Sequence, residues 1–307
     1  MKQVFFRTDL AIEMQQWMTE RDGQAPDGVK VRTKVGEFVQ ATEVSILTTQ
    51  AEEAMGRKRG RYVTLEAPLL RQNHTECLEE TGALLEEVLQ DFLALERRET
   101  VLVVGLGNRF VTADALGPKV VEGIFVTRHL KDALPPELQG AVRPMAAIAP
   151  GVMGITGIET GETIRGVVEK IRPSRILVVD ALAARKFSRV NATIQISDTG
   201  ICPGSGVGNR RMELSRRTLG VPVIAIGVPT VVDAATLVWD ALHLAGVKEG
   251  EGKEAAEEVL LPYAADLFVT PKEMDAALQR LSSTIAAAVN AAVHPKFRRQ
   301  DQGRYFY

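Results

Sequence analysis

The chain has 307 residues, 45% hydrophobic and 25% charged, enough to bury a sizeable core as one large domain or a domain with additions. A formal net charge of −2 leaves no global basic field to recruit nucleic acid, and no run of about 18 or more apolar residues suggests a membrane span. Two cysteines, Cys77 and Cys202, provide no disulfide framework and point to a reducing compartment.

The opening stretch MKQVFFRTDLAIEMQQW is not a secretory signal, because Arg7, Asp9 and Glu13 interrupt its apolar run. A cytoplasmic protein is expected. The polar TERDGQAPDG that follows reads as a loop, and Val29–Gln40, Glu43–Thr49 and Arg61–Glu66 as strands. The basic run 56–61 between them reads as a solvated turn, or as a cationic patch for an acidic partner. From His74 to Arg98, Leu78, Leu84, Leu85, Val88, Leu89, Phe92 and Leu95 recur at helical spacing.

Val101–Val104 is an apolar run of the length of a buried parallel strand. It opens onto Gly105, Gly107 and Asn108, a turn sequence, and then onto Asp114 and a helix expected over 115–129. Val142–Ile148 is a further apolar segment, followed by a glycine-rich loop at 150–161 and a helix over 162–171. Arg175–Ala184 repeats the earlier form: Ile176–Val179 as strand, with Asp180 at its carboxyl end. A strand over 193–196 leads to a second glycine-rich loop. Pro222–Ile226 reads as a buried strand, GVPTVVDA as a connector, and 234–244 as a helix. The charged segment 246–258 looks like a mobile insertion. A short strand over 265–269 precedes a long helix reaching Ala292, with Thr270 as N-cap and Glu273 completing a capping box.

This alternation predicts an α/β fold: a mostly parallel central sheet with helices on both faces, and an N-terminal β-rich annexe over 10–99 against a core over 100–293. In such a sheet, ligands and chemistry gather at the carboxyl ends of strands, where Asp114 and Asp180 are expected. The turn after the first strand lacks the third glycine of a dinucleotide fingerprint, and Phe110 stands there instead. No phosphate-binding loop or nucleophile elbow occurs. Cys202 has no histidine near it in sequence, and His74, His129, His243 and His294 are too scattered for a zinc site and read as structural. No cofactor is expected. The two carboxylates remain. Held close, one keeps its proton while the other accepts one, a pair suited to activating water against a peptide bond. The bland reading is that each acid caps the next helix.

Taken together, RTDLAIE at 7–13, VVGLGNRFVTADALGP at 103–118, PGVMGITGIET at 150–160, VVDALAAR at 178–185, PGSGVGNRR at 203–211, GVPVIAIGVPTVVDA at 220–234 and LFVTPKEMD at 267–275 resemble the germination protease family. Ala113 departs from that family's usual proline before the first aspartate. The resemblance implies an atypical aspartic endopeptidase with Asp114 and Asp180 as the catalytic pair, acting on small acid-soluble spore proteins inside the spore. It also implies a homotetramer and a zymogen that trims its own N-terminus. The order Thr8-Asp9-Leu10-Ala11-Ile12-Glu13 repeats the pattern of the family's substrates, so a cut between Asp9 and Leu10, releasing residues 1–9, is expected. Acidic substrate positions call for cations in the cleft, and Arg185, Arg210 and Arg211 are the candidates. The fold also resembles that of hydrogenase-maturation endopeptidases, which bind a metal through two acids and a histidine. No histidine lies between Asp180 and His243, so a metal-dependent endopeptidase is the second reading and a non-catalytic α/β binding module the third.

Overall fold

A computed structural model describes residues 8–96, 98–130, 142–204, 211–238 and 267–295. Arg210, the segment 246–258 and residues 1–7 lie outside them, as do most of the helix expected over 234–244 and the first residues of the strand expected over 265–269.

The elements in chain order are α1 (Ala11–Asp22), β1 (Val29–Val35), β2 (Gln40–Ile46), α2 (Thr49–Met55), β3 (Gly60–Glu66) and α3 (Thr75–Leu93). Then come β4 (Val101–Gly105), α4 (Leu116–Glu122), β5 (Met145–Ile148), α5 (Met153–Thr156), α6 (Thr160–Ile171), β6 (Arg175–Ala184) and β7 (Thr193–Ser197). The last are α7 (Arg216–Leu219), β8 (Val223–Asp233), β9 (Phe268–Val269) and α8 (Met274–Val293).

The strands form one sheet in the order β1-β2-β3-β7-β8-β6-β4-β5, with β9 on β8. The pairings β5–β4, β4–β6 and β6–β8 are parallel and make the α/β part. The annexe strands continue the same sheet through antiparallel pairing, with β3 on β7 and β7 on β8. Alternation along the parallel strands divides the core. Val101, Val103, Leu177 and Val179 face α3, α4 and α8, whereas Leu102, Val104, Ile176 and Val178 face α6 and α7. Burying both faces is what makes these strands continuous apolar runs in the sequence.

Several boundaries differ from the sequence reading, each for a local reason. Gly36 donates its amide to Val39 across a tight turn, so Val29–Gln40 is the end of one strand, a hairpin and the start of another. Residues 19–22 close α1 and are not loop. The helix expected over 115–129 stops at Glu122, where Gly123 closes it. Thr270 does not cap α8: its hydroxyl donates to the Thr230 carbonyl at 2.9 Å, and the helix starts only at Met274.

The largest difference concerns β6 and β8. Both run on past the point where β4 ends, so Asp180 lies within β6 opposite Gly227, and GVPTVVDA is mostly strand. Pro229 is accommodated because the β6–β8 register shifts between Leu182 and Ala183, next to its pairing with Leu182. The Pro229 carbonyl still accepts the Asn191 amide at 2.8 Å.

Candidate active site

The shortness of β4 makes the cleft. Its last residue pairs with Val179, and Leu106 extends the match by donating its amide to the Val179 carbonyl at 2.8 Å. The chain then turns away and leaves Asp180 at the rim with no β4 residue beside it. Asp180 shares its side of β6 with Ile176, Val178 and Leu182, the face covered further down by α6.

Asp114 reaches the same rim through a folded turn. Gly107 adopts φ +111°, which lets the backbone double back. Asn108 donates its amide to Asp114 Oδ2 at 2.8 Å, and the Asn108 side-chain oxygen accepts the Phe110 amide at 3.0 Å. Asp114 donates its own amide to the Val111 carbonyl at 2.8 Å. The Thr230 hydroxyl ties the turn to β8 through the Ala113 carbonyl at 2.7 Å. Neither acid caps a helix: Asp180 is followed by more strand, and α4 begins after Asp114 at Leu116, with Ala115 as its N-cap.

Both acids line one cavity of about 520 Å³, together with Asp9, Gly107, Gly151, Arg211 and other residues of the loops after β4, β5 and β7. Burial raises the Asp114 carboxyl above its ordinary range, against the Asn108 amide and the Arg211 charge, which favour the anion. Asp180 is 6% exposed, and burial pushes its carboxyl well up; the neighbouring charges of Asp114 and Asp9 push it further. Among the described residues, its compensating bond is from the Ala181 amide at 3.0 Å. Both carboxyls are raised, and of the two Asp180 is the more strongly biased toward the neutral form.

Of the three arginines named from sequence, Arg211 is in the cavity wall and pairs loosely with Glu159 at 3.7 Å. Arg185 contributes its backbone amide, to Glu13 at 2.7 Å. From the basic run, Lys58, Arg59 and Arg61 pair with Glu213, Glu52 and Glu43, and Arg57 donates to the Thr8 carbonyl. Arg57 also lines a second cavity of about 300 Å³ that shares Asp9, Leu182, Ile201 and Cys202 with the first.

The segment 8–13 lies along the extension of β6. Asp9 donates its amide to the Ala183 carbonyl, and its carboxylate accepts the Ala183 amide, both at 2.9 Å. Gln195 brackets the next bond: its side-chain nitrogen donates to the Asp9 carbonyl at 3.2 Å, and its side-chain oxygen accepts the Ala11 amide at 2.7 Å. Leu10 and Ile12 are buried among Leu182, Ala184, Val190 and Val232. Sequence reasoning missed Gln195. The readable signal for Gln195 was a polar residue between Ile194 and Ile196 in a wholly buried strand.

Fold and cavity thus define an α/β protein in which Asp114 and Asp180 meet in one cleft, at the rim of the parallel part of its sheet. The sequence profile described as germination protease matches residues 7–246 and 242–306. A germination protease of Clostridium acetobutylicum is 46% identical over 321 residues, covering 97% of this chain and 98% of that one. Those of Clostridium tetani and Bacillus cereus are 44% and 42% identical, again over 97% of this chain and 98% and 96% of theirs. The chain belongs to the germination protease family and is a protease. Among solved structures, a NiFe hydrogenase maturation protease, HycI, from Thermococcus kodakarensis aligns with TM-score 0.33 and 18% identity, covering 66% of this chain and 98% of that one.

Proposed function

We propose that this protein is an aspartic endopeptidase that starts the breakdown of small acid-soluble spore proteins during germination, within the spore interior. In this reading it is made as a homotetrameric zymogen that cuts itself between Asp9 and Leu10. The observation that carries it is the meeting of Asp9, Asp114 and Asp180 in one cavity, with the chain on both sides of the Asp9–Leu10 bond held as a bound peptide would be.

Asp114 takes a proton from a water molecule, whose oxygen bonds to the carbonyl carbon while Asp180 gives its proton to the carbonyl oxygen. Collapse of this tetrahedral species breaks the carbon–nitrogen bond. The hydroxyl proton returns to Asp180, and the proton on Asp114 passes to the departing nitrogen, so one water is consumed and both acids regain their starting states. The buried Asp180 supplies the acid because its environment favours the neutral form. Asp114, half-buried and hydrogen-bonded by Asn108, supplies the base.

The test follows the mass of the purified protein under mildly acidic conditions, beside Asp114→Asn, Asp180→Asn and chelator-treated samples. Loss of residues 1–9 from wild type alone, indifferent to chelator, is expected. Trimming that survives both substitutions overturns the aspartate pair, and chelator sensitivity transfers the reading to a metal-dependent endopeptidase.

A further inference from the structure

Among the described residues, the most heavily coordinated acid outside the cleft is Glu13. It is 2% exposed, yet it belongs to the first turn of a helix that has one side open to solvent. Glutamate in that position ordinarily folds back to the helix's own N-terminal amide. Here it points away. Its Oε1 accepts the Lys186 amide at 2.9 Å and Arg189 Nη1 at 3.3 Å; its Oε2 accepts the Arg185 amide at 2.7 Å and the Thr8 hydroxyl. Three of these donors come from one short loop, 185–189, directly after the strand that holds Asp9. A carboxylate so enclosed is recognised by charge and by shape together.

We propose that Arg189 and the amides of Arg185 and Lys186 form a specificity subsite for a carboxylate four residues beyond the acid at the cut. On this inference, Glu13 is the internal occupant of a pocket that substrates use in turn. It rests on the reading of Asp9–Leu10 as the cleaved bond. The contacts along 8–13 form one graded set: the Ala183 backbone takes the acid at the cut, Gln195 aligns the peptide, an apolar hollow takes Leu10 and Ile12, and the 185–189 loop takes the second acid. An ordinary anchor for α1 would need none of this register around Asp9. The first turn of α1 carries Glu13 from the cut to the loop, so a peptide that fills the pocket takes the same turn. Arg189 is a specificity-determining residue, not a catalytic one. It is itself oriented by Glu66 at 2.9 Å and Gln16 at 3.0 Å.

Because Glu13 stays on the chain after a cut at Asp9–Leu10, the trimmed N-terminus must leave the pocket before a substrate carboxylate enters. Two measurements test the assignment. In the first, Glu13→Gln is followed for self-trimming: an amide presents N–H groups to donors that require an acceptor, and trimming at Asp9–Leu10 slows at least tenfold. In the second, self-trimmed wild type is given peptides matching residues 4–16, with Glu or Gln at the position of Glu13. The Glu peptide is preferred at least tenfold in kcat/KM, mainly through KM, and Arg189→Gln levels the two. Equal kcat/KM for both peptides with wild type overturns the subsite while leaving the aspartate pair standing. It does so even if Glu13→Gln trims slowly, because a structural anchor would also slow trimming. A wild type that neither trims nor cleaves either peptide overturns the aspartate reading and the subsite with it.

Discussion

Asp9 is gripped by both polar backbone groups of Ala183, one through its amide and one through its carboxylate, each at 2.9 Å. That pairing places a third carboxylate beside Asp180, and its charge helps hold the Asp180 carboxyl in the neutral form. Asp9 is therefore tied to the cleft in two ways: the β6 backbone holds it, and its charge favours the proton on Asp180.

Replacing Asp180 separates catalysis from stability. Asp180→Asn should cut the trimming rate by on the order of 10²–10⁴-fold, the usual worth of a general acid. Its effect on stability has the opposite sign. A carboxyl whose folded pKa is raised binds more protons folded than unfolded, so its contribution is fully present below the unfolded value near 3.8 and is lost as pH rises through the folded value. Asparagine removes that titration. Melting curves at pH 3.5 should nearly coincide for wild type and variant, and at pH 7 the variant should melt higher.

Gln195 serves the same peptide from the opposite side. Gln195→Ala leaves the Ala11 amide without its 2.7 Å acceptor and frees the Asp9 carbonyl from its donor. A buried donor left unpaired costs about 1–3 kcal/mol. If the loss falls on the transition state, trimming slows by roughly 5- to 150-fold. Gln195→Glu keeps an acceptor for Ala11 but loses the donor to Asp9, so it should fall between the two in a trimming time course.

The placement of Asp114 and Asp180 in one cleft was legible because each follows an unmistakable apolar run, and Gly105–Asn108 is turn chemistry at first sight. The sheet's α/β part was legible for the same reason. Arg189 and Gln195 were not, because their partners Glu13, Asp9 and Ala11 lie far away in sequence and nothing local marks either residue. The extension of β6 was hidden for a different reason. Gly227 and Pro229 read as breakers, whereas a register shift absorbs the proline and the missing side chain of Gly227 leaves room for Leu182. The capping box at Thr270 failed because the helix begins only at Met274, beyond reach of Thr270, whose hydroxyl bonds to Thr230 instead.

His294 adds to the acid sensitivity of the fold. Burial lowers its pKa to about 4, assisted by the nearby Arg143 charge and opposed by a bond with the Phe125 backbone. Its Nδ1 accepts the Arg143 amide at 3.2 Å, which requires the neutral ring. The unfolded chain binds a proton near pH 6.5 and the folded chain only near 4, so stability falls as pH drops through that window. The loss amounts to about 3 kcal/mol when complete. His294→Asn keeps an acceptor for Arg143 and abolishes the titration. Denaturant midpoints from pH 7 to pH 4 should therefore decline less steeply in the variant, by on the order of that amount.

Gly107 is the position on which the cleft depends most directly. It sits at φ +111°, a conformation that side chains rarely adopt, and a Cβ there would lie 2.0 Å from the Asp114 carbonyl oxygen and 3.0 Å from its Oδ1. The nearest obstacle is backbone, so no rotamer change relieves it; the 107–114 turn must open instead. Opening it withdraws Asp114 from the Asn108 amide and from the Ala113–Thr230 bond that fixes the turn to β8. Gly107→Ala should thus lose trimming activity about as fully as Asp114→Asn while keeping the Asp114 carboxyl. The core beneath is untouched, because Val101–Val104 and α4 pack below the turn. Circular dichroism should show native helix and strand content, with a melting point lowered by the strain. Near-normal trimming in Gly107→Ala would mean that Asp114 does not act from the position the turn gives it.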